Sequence, residues 1–398
     1  MIAPLERSNP VALPRAMTTS RRVLYVLHTN PAAYPPVEHG ALILAESGHA
    51  VCLLGVALVP DLSLAEHPRM SVHLRPAVAR GWRQKVEALR FVFWVVAHAR
   101  RFKPDWLYSS DPMSTPASWV AAVLCGVPLV YHEHDVLEAR AGSPSMFARL
   151  IALARRSVAR RARMCVVPSI GRATVLTDDT GASDVMVVWN TPLRRDVVEL
   201  HSDRGAGTRL LFHGSIVPAR VPEALLHALA RLPVHISFRV TGYDPAGGEH
   251  VSRLKSLAGS LGIADRVEFG GTAPTRARLM ELGASCDVGI ALLPLDSRNI
   301  NERTMVGASN KPFDYMACGL ALLVSDLPEW TSTFVEPGFG RSCNPGSVES
   351  LVEAIQWFDE HRAARREMGE RGRRRILESW NYDIGFEPVL RLMTGAAG

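Results

Sequence analysis

No apolar run in this sequence approaches the roughly 20 residues that a membrane-crossing helix needs. The nearest, Phe91 to Ala97, is short and is bracketed by Arg90 and by Arg100-Arg101. Cysteine is scarce and scattered. The six, at positions 52, 125, 165, 286, 318 and 343, lack both metal-site spacing and the density of a disulfide framework, which is reduced, cytoplasmic usage. Lysine is nearly absent, so the net charge of +6 is carried by arginine. Those arginines do not interleave with aromatics or form a nucleic-acid-binding motif, which removes nucleic acid as the expected partner. Residues 1–20 contain prolines and no sustained apolar region, so a disordered tail is expected there rather than a secretory leader, with Met17 a candidate start.

What is present is length and alternation. A chain of 398 residues exceeds what one core usually serves, and 47% hydrophobic with 21% charged residues is a globular balance. Strands and helices alternate every 30 to 40 residues or so, roughly the period of a parallel sheet with crossover helices. Arg22 to Leu27 reads as a buried strand, Val37 to Ser47 as a helix stopped by Gly48, and Ala50 to Gly55 as the next strand. Regularity breaks near Trp189-Asn190-Thr191-Pro192, and Leu193 to Gly207 is polar without apolar periodicity. The linker is expected there, between an α/β domain over 21–195 and a second over 208–380. Residues 381–398 hold an isolated apolar helix, Phe386 to Met393.

The densest signal is Asn310-Lys311-Pro312-Phe313-Asp314-Tyr315-Met316-Ala317-Cys318-Gly319, followed by the apolar run Ala321 to Val324. Phe313, Met316 and Ala317 share one helical face, while Asp314 points elsewhere. Gly319 suits a helix stop, and the apolar run suits a strand covered on both faces. An acidic residue in that first turn, at the mouth of a parallel sheet, is placed to hydrogen-bond ribose hydroxyls. The block resembles the signature of the retaining glycosyltransferases of family 4. The resemblance extends over the chain from about Arg21 to Met393 and implies the GT-B architecture: two Rossmann-like parallel-sheet domains facing a cleft, with the last helix crossing back onto the first domain.

Further expectations follow from that resemblance. The second domain would bind a nucleotide-diphosphate sugar, with Asp314 on the ribose and Arg220, Lys311 and loop amides on the diphosphate. Gly214 and Ser215 occupy the first strand-to-helix loop, where the family often has Gly-Arg. Gly242 and Tyr243 match the next glycine turn, and Gly271 and Thr272 the turn near the nucleobase. The first of the family's paired glutamates falls at Val306 and is missing, with Glu302 nearby. Gly307 and its neighbours would supply amides to sugar and phosphate, and Asn310 opens the signature. His132 and His134, in Tyr131-His132-Glu133-His134-Asp135, lie at a strand end facing the cleft, and one of them would line the reaction centre beside Arg220. His28, Asn30, Glu38, Glu133 and Asp135 are the acceptor-side candidates, and Asp111-Pro112 is either another or a simple turn. The two histidines could hold an ion, but with no further ligand at fixed spacing no metal or other cofactor is expected.

The implied activity is sugar transfer to an acceptor hydroxyl with retention of configuration, in surface-polysaccharide, glycolipid or natural-product glycosylation. Sugar, base and acceptor are not readable. Between Ser143 and Arg163, with Ser143 as N-cap and Pro144 at the first helical position, an apolar stripe faces an arginine stripe of Arg149, Arg156, Arg160 and Arg163, with Arg155 and Arg161 beside it. Such a helix is either a solvated face or a peripheral contact with anionic lipid at the inner membrane face, where a lipid-linked acceptor would be met. Two rival readings use the same fold: a nucleotide-sugar 2-epimerase-like enzyme, with the His-Glu-His-Asp carboxylates in the chemistry, and a non-catalytic nucleotide-sugar-binding subunit.

Overall fold

A computed structural model describes residues 20–58, 62–78, 82–137, 145–199, 205 and 207–395. Ser143, Pro144 and all but one residue of the expected tail lie outside them. In the first half, β1 (Arg22–Val26), α1 (Pro35–Glu46), β2 (Ala50–Ala57) and β3 (Met70–Pro76) lead into α2 (Trp82–Phe102) and β4 (Trp106–Ser110). Then come α3 (Thr115–Cys125), β5 (Leu129–His132), α4 (Met146–Arg161), β6 (Met164–Val167), α5 (Ile170–Thr180) and β7 (Val185–Val187). The seven strands form one parallel sheet in the order β3-β2-β1-β4-β5-β6-β7.

The second half repeats the plan. Its elements are β8 (Thr208–Ser215), α6 (Glu223–Ala230), β9 (Ile236–Tyr243), α7 (Glu249–Ser260), β10 (Val267–Phe269), α8 (Arg276–Ala284) and β11 (Val288–Ala291). They continue through α9 (Ile300–Arg303), α10 (Lys311–Ala317), β12 (Ala321–Ser325), α11 (Pro328–Trp330), β13 (Gly340–Cys343), α12 (Val348–Glu360), α13 (Arg362–Glu378) and α14 (Tyr382–Thr394). Six strands pair in parallel as β10-β9-β8-β11-β12-β13. Both sheets reverse order beside their first strand, so each has a switch point at its carboxyl edge, where ligands of such sheets bind.

Central strands carry continuous apolar runs because helices cover both faces: β12, Ala321 to Ser325, is buried at every position. The edge strand β3 has no such cover, and its Met-Ser-Val-His-Leu-Arg-Pro stretch lacks an apolar run that would mark it in the sequence. Helix α14 returns to the first domain as expected. Phe386, Val389 and Met393 join Tyr25, Val37 and Tyr108 in one buried cluster. Gly40 permits this approach, since a Cβ there would stand 3.1 Å from the Phe386 ring and from the Tyr25 hydroxyl. Part of the expected linker is ordered against both halves. Leu193 is buried in that same cluster, and Val198 N–H donates to Ala317 O at 3.3 Å.

The halves also meet through hydrogen bonds at the floor of the cleft. Asn301 accepts from Val136 N–H at 2.7 Å and donates to Val136 O at 3.1 Å. Ser169 Oγ donates to Thr304 O at 2.9 Å, and Asn190 holds Gly307 O and Ala308 O at 2.7 Å each.

Candidate active site

Three glycine turns at the carboxyl edge of the second sheet make one wall. Gly214 has φ +106 and pairs in register with Gly242, whose φ is +147. A Cβ on Gly242 would lie 1.8 Å from Gly214 O, so only glycine allows these strand ends to come together. Gly242 N–H donates to Gly271 O at 2.8 Å, and Thr272 Oγ1 to Gly242 O at 3.4 Å. Ser215 lies opposite Tyr243, whose ring is 45% exposed.

Lys311, the first residue of α10, is buried against this wall. Its Nζ sits 3.2 Å from where a Gly214 Cβ would be and 5.7 Å from the centre of the Phe212 ring. Burial, and then the positive charge of Arg220, bring its ammonium down to about 7. Among the described residues neither Lys311 nor Arg220 has an ion-pair partner within 4.0 Å. Two neighbouring cations without an ion-pair partner, beside glycine turns, are groups that could hold an anion.

Asp314 departs from expectation. Rather than facing the cleft, its carboxylate is enclosed. Arg276 of α8 donates to Oδ1 at 2.6 Å, Asn310 Nδ2 donates to Oδ2 at 2.8 Å, and His213 Nε2 stands 3.4 Å away. Burial alone would raise this carboxyl, but Arg276 overrides it and holds the group below its ordinary value. Arg276 also pairs with Asp196 at 2.7 Å, and both border a crevice shared with Glu38 and His39, apart from the main cleft. The side chain is one methylene shorter than the family's glutamate and ends at Arg276, an ion pair without local sequence signal. Loop 305–309 also differs from expectation. Ala308 N–H and Ser309 N–H both donate to Met305 O at 2.9 Å. Gly307, φ +83, packs on Pro168 and Trp189, with a Cβ position 2.4 Å from Pro168 O. Those amides and that glycine serve chain geometry and domain contact. Val306 packs on the neighbouring hydrophobic cluster.

Facing the cation wall is a cavity of about 790 Å³ between the halves. His28, Tyr34, Asp111 and Asp135 come from the first domain, and Arg220, Asn301, Glu302 and Met305 from the second. Asp111 stands out. With φ 77 and ψ 148 it holds a backbone conformation that non-glycine residues rarely adopt. Its N–H donates to His132 O at 3.0 Å, and its own carbonyl accepts from Ser114. Burial, then the nearby charges of Asp135 and Glu133, push its carboxyl up to about 7.

Several acceptor-side candidates lie elsewhere. Glu133 is buried, held by Arg155 Nε and Nη2 at 2.7 Å each and by Tyr131 hydroxyl at 2.5 Å. Arg155, read from spacing as lying beside the arginine stripe, therefore points inward. Asn30 caps a short turn, accepting from Ala32 N–H and donating to Leu62 O at 3.1 Å each. Glu38 accepts from Ala65 N–H at 2.8 Å. Asp135 does line the cavity, with Arg172 3.0 Å from it. Of the two histidines, His132 turns inward to the Tyr108 hydroxyl at 2.8 Å. His134 bonds Ser110 at 2.8 Å and stacks, 4.5 Å between centres, on Tyr34, which lines the cavity. Burial depresses both imidazoles, His132 to about 3. His134 is thus the one nearer the cleft, reaching it through Tyr34. The pairings of Arg276, Arg172 and Arg155 with Asp314, Asp135 and Glu133 were missed in the sequence because each partner lies at least 22 residues away.

Comparison with known proteins agrees with this fold. Residues 37–191 match a glycosyl transferase 4-like domain and residues 203–375 match glycosyl transferases group 1. A D-inositol 3-phosphate glycosyltransferase of Geodermatophilus obscurus is 24% identical over 96% of this chain and 91% of its own. The chain spans about half the length of several other curated relatives of that name, 40 to 46% of each. A UDP-N-acetylglucosamine--N-acetylmuramyl-(pentapeptide) pyrophosphoryl-undecaprenol N-acetylglucosamine transferase of Methylobacterium nodulans is 29% identical over 58% of this chain and 61% of its own. Among solved structures, Anabaena HepE in complex with UDP and glucose superposes with a TM-score of 0.70, at 17% identity, covering 94% of this chain and all of that one.

Proposed function

This chain belongs to the glycosyltransferases that join a 4-like domain to a group 1 domain in the GT-B fold, and from that premise we propose that it moves a sugar from a nucleotide-diphosphate donor to an acceptor hydroxyl with retention of configuration. The observation that carries this reading is the unpaired pair Lys311 and Arg220 beside the glycine turns at Gly214, Gly242 and Gly271. The diphosphate would lie between them, with the nucleoside toward Tyr243 and Thr272. As the glycosidic bond breaks, negative charge grows on the departing phosphate, and cations already in place stabilise it without reorganisation. Asp314, Glu133 and Asp135 are each matched to an arginine and are not called on as nucleophiles. The leaving phosphate takes the acceptor proton on the face it departs from, which gives retention. The same pairing removes Glu133 and Asp135 as bases for a 2-epimerase-like elimination and re-addition, so that alternative would have to rest on Asp111.

The acceptor would enter the 790 Å³ cavity from the first domain, its hydroxyl meeting Asp111 and Asp135, with His28 and Tyr34 bordering it. Asp314 then acts through position, anchoring α10 and with it Lys311. Because the Anabaena neighbour is described with UDP, uridine diphosphate is the first nucleotide to try. A lipid-linked acceptor is suggested by the undecaprenol compound in one relative's name and by the basic helices of the first domain. The test is titration with a panel of nucleoside diphosphates, then product analysis by NMR with the matching nucleotide sugar. A product of inverted anomeric configuration would sink the mechanism. Failure of every nucleotide to bind would sink the donor site.

A further inference from the structure

We propose that the outer face of α2, α3 and α4 docks on a bilayer carrying anionic lipid. The proposed sugar transfer bears on it only for what acceptor is met there; the docking stands on the surface alone. These helices pack side by side over one face of the first sheet, α3 between α2 and α4. Each buries one side: Phe91 and Val95, Ala117 and Ala121, Ile151 and Val158. The opposite sides are apolar too. Leu89 and Phe93 on α2, Trp119 and Val123 on α3, and Met146 and Leu150 on α4 each repeat at four-residue spacing, and all are exposed, Phe93 to 67% and Met146 to 80%. Side-by-side stripes of this kind make a larger apolar surface than solvent-facing helices usually carry.

Charge identifies the occupant. Across the three helices the only carboxylate is Glu87, tied to Arg75 and Arg90. Arginine is spread along both outer helices. Arg155 is turned inward, but Arg90, Arg100 and Arg101 on α2 and Arg149 and Arg161 on α4 are exposed. Apolar side chains ringed by arginine with no exposed acid match the headgroup layer of an anionic membrane. A second copy of the chain fits poorly, because a two-fold contact would set this arginine-rich patch against itself. The face also adjoins the cleft. The inner edge of α2, with Gln84, Glu87, Ala88 and Phe91, lines the cavity whose outer side carries Leu89 and Phe93. A docked molecule would hold that opening at the lipid surface, suited to an acceptor that never leaves the bilayer.

The test is flotation of the full chain with vesicles of phosphatidylcholine alone or mixed with phosphatidylglycerol. The expected result is binding to the mixed vesicles, weakened by salt because exposed charges are screened. Arg100→Gln and Arg149→Gln should each weaken it about fivefold, and together about 25-fold, from the usual contribution of a basic residue near an anionic surface. Phe93→Ser with Leu150→Ser should abolish it while leaving melting temperature and uridine diphosphate affinity unchanged. Equal binding to both vesicle types, or variants that bind like the parent, would overturn the proposal. So would a dimer that the serine variant dissolves without vesicle binding by the parent, since a second copy would then cover this face. Vesicle binding involves no chemistry: its failure with uridine diphosphate binding intact removes only the docking, and the reverse result removes only the donor reading.

Discussion

Lys311 offers the sharpest test of the proposed donor site because it is a buried cation for which the donor would supply the partner. In the unliganded fold, burial and Arg220 lower its ammonium from 10.5 to about 7. The unfolded chain therefore binds more protons than the folded one between about pH 7 and 10.5, so this residue makes stability rise with pH across that window and contributes no slope below it. Keeping it charged in the fold costs on the order of 5 kcal/mol, at 1.36 kcal/mol per pKa unit. A diphosphate reverses the balance by restoring the charge, so binding above pH 7 must take up a proton. Titration of uridine diphosphate at pH 7.5 and 8.5 should give an affinity about eightfold weaker at the higher pH, with uptake of about nine-tenths of a proton at pH 8. A terminal phosphate, with its second pKa near 6, is already ionised in this range and does not confuse the reading. Lys311→Arg should flatten the pH dependence, because a guanidinium stays charged. Lys311→Met should raise the melting temperature and weaken binding about ten- to hundredfold, the contribution of hydrogen bonds to charged groups. Flat affinity across this range with no proton uptake, or unchanged affinity in Lys311→Met, would refute the assignment.

Four further outcomes are expected. Asp111→Gly should relieve about 1–3 kcal/mol of backbone strain and raise the melting temperature, yet raise the acceptor KM with donor affinity unchanged; a purely structural Asp111 would leave KM alone. Its carboxyl, lifted from 3.8 to about 7, makes the folded state bind more protons in that window, so stability contributed there falls as pH rises from about 4 to 7, and Asp111→Asn should remove that slope in pH-dependent melts. Truncation after Trp380 removes Phe386, Val389 and Met393 from the first-domain core, and should lower the melting temperature and solubility; an unchanged melt would contradict the crossing helix. Asp314→Ala leaves Arg276 with Asp196 alone, and should cost roughly 1.5–3 kcal/mol of stability, the contribution of hydrogen bonds to charged groups; in a double-mutant cycle with Arg276→Ala the two losses should be far from additive, and strict additivity would deny the pairing.

How much was legible follows from what each feature depends on. Parallel strands announce themselves through local runs such as Ala321 to Val324, because burial on both faces demands apolar residues at every position. The edge strand β3 stayed hidden because only one partner orders it. Helix α13, missed in the sequence, carries few apolar residues and packs through Gly369 and Gly372, where small size rather than hydrophobicity does the work. The glycine turns and the helix that opens at Lys311 were legible because their conformation is fixed by neighbours in the chain.

The carboxylates were not, and the reason is general to sites built between two sheets. An acidic residue at a strand end has two possible fates, a ligand or an arginine, and the arginine arrives from another element. Asp314 meets Arg276 across 38 residues, Glu133 meets Arg155 across 22, and Asp135 meets Arg172 across 37. In a chain whose positive charge is almost wholly arginine, these three carboxylates each found a bidentate or networked partner. Asp111 escaped: among the described residues it has no ion pair within 4.0 Å, and its nearest charges are other carboxylates. The two cations without carboxylates, Lys311 and Arg220, and the one strained acid across the cleft from them are what the pairing leaves over. Such leftovers are where a substrate can supply the missing charge.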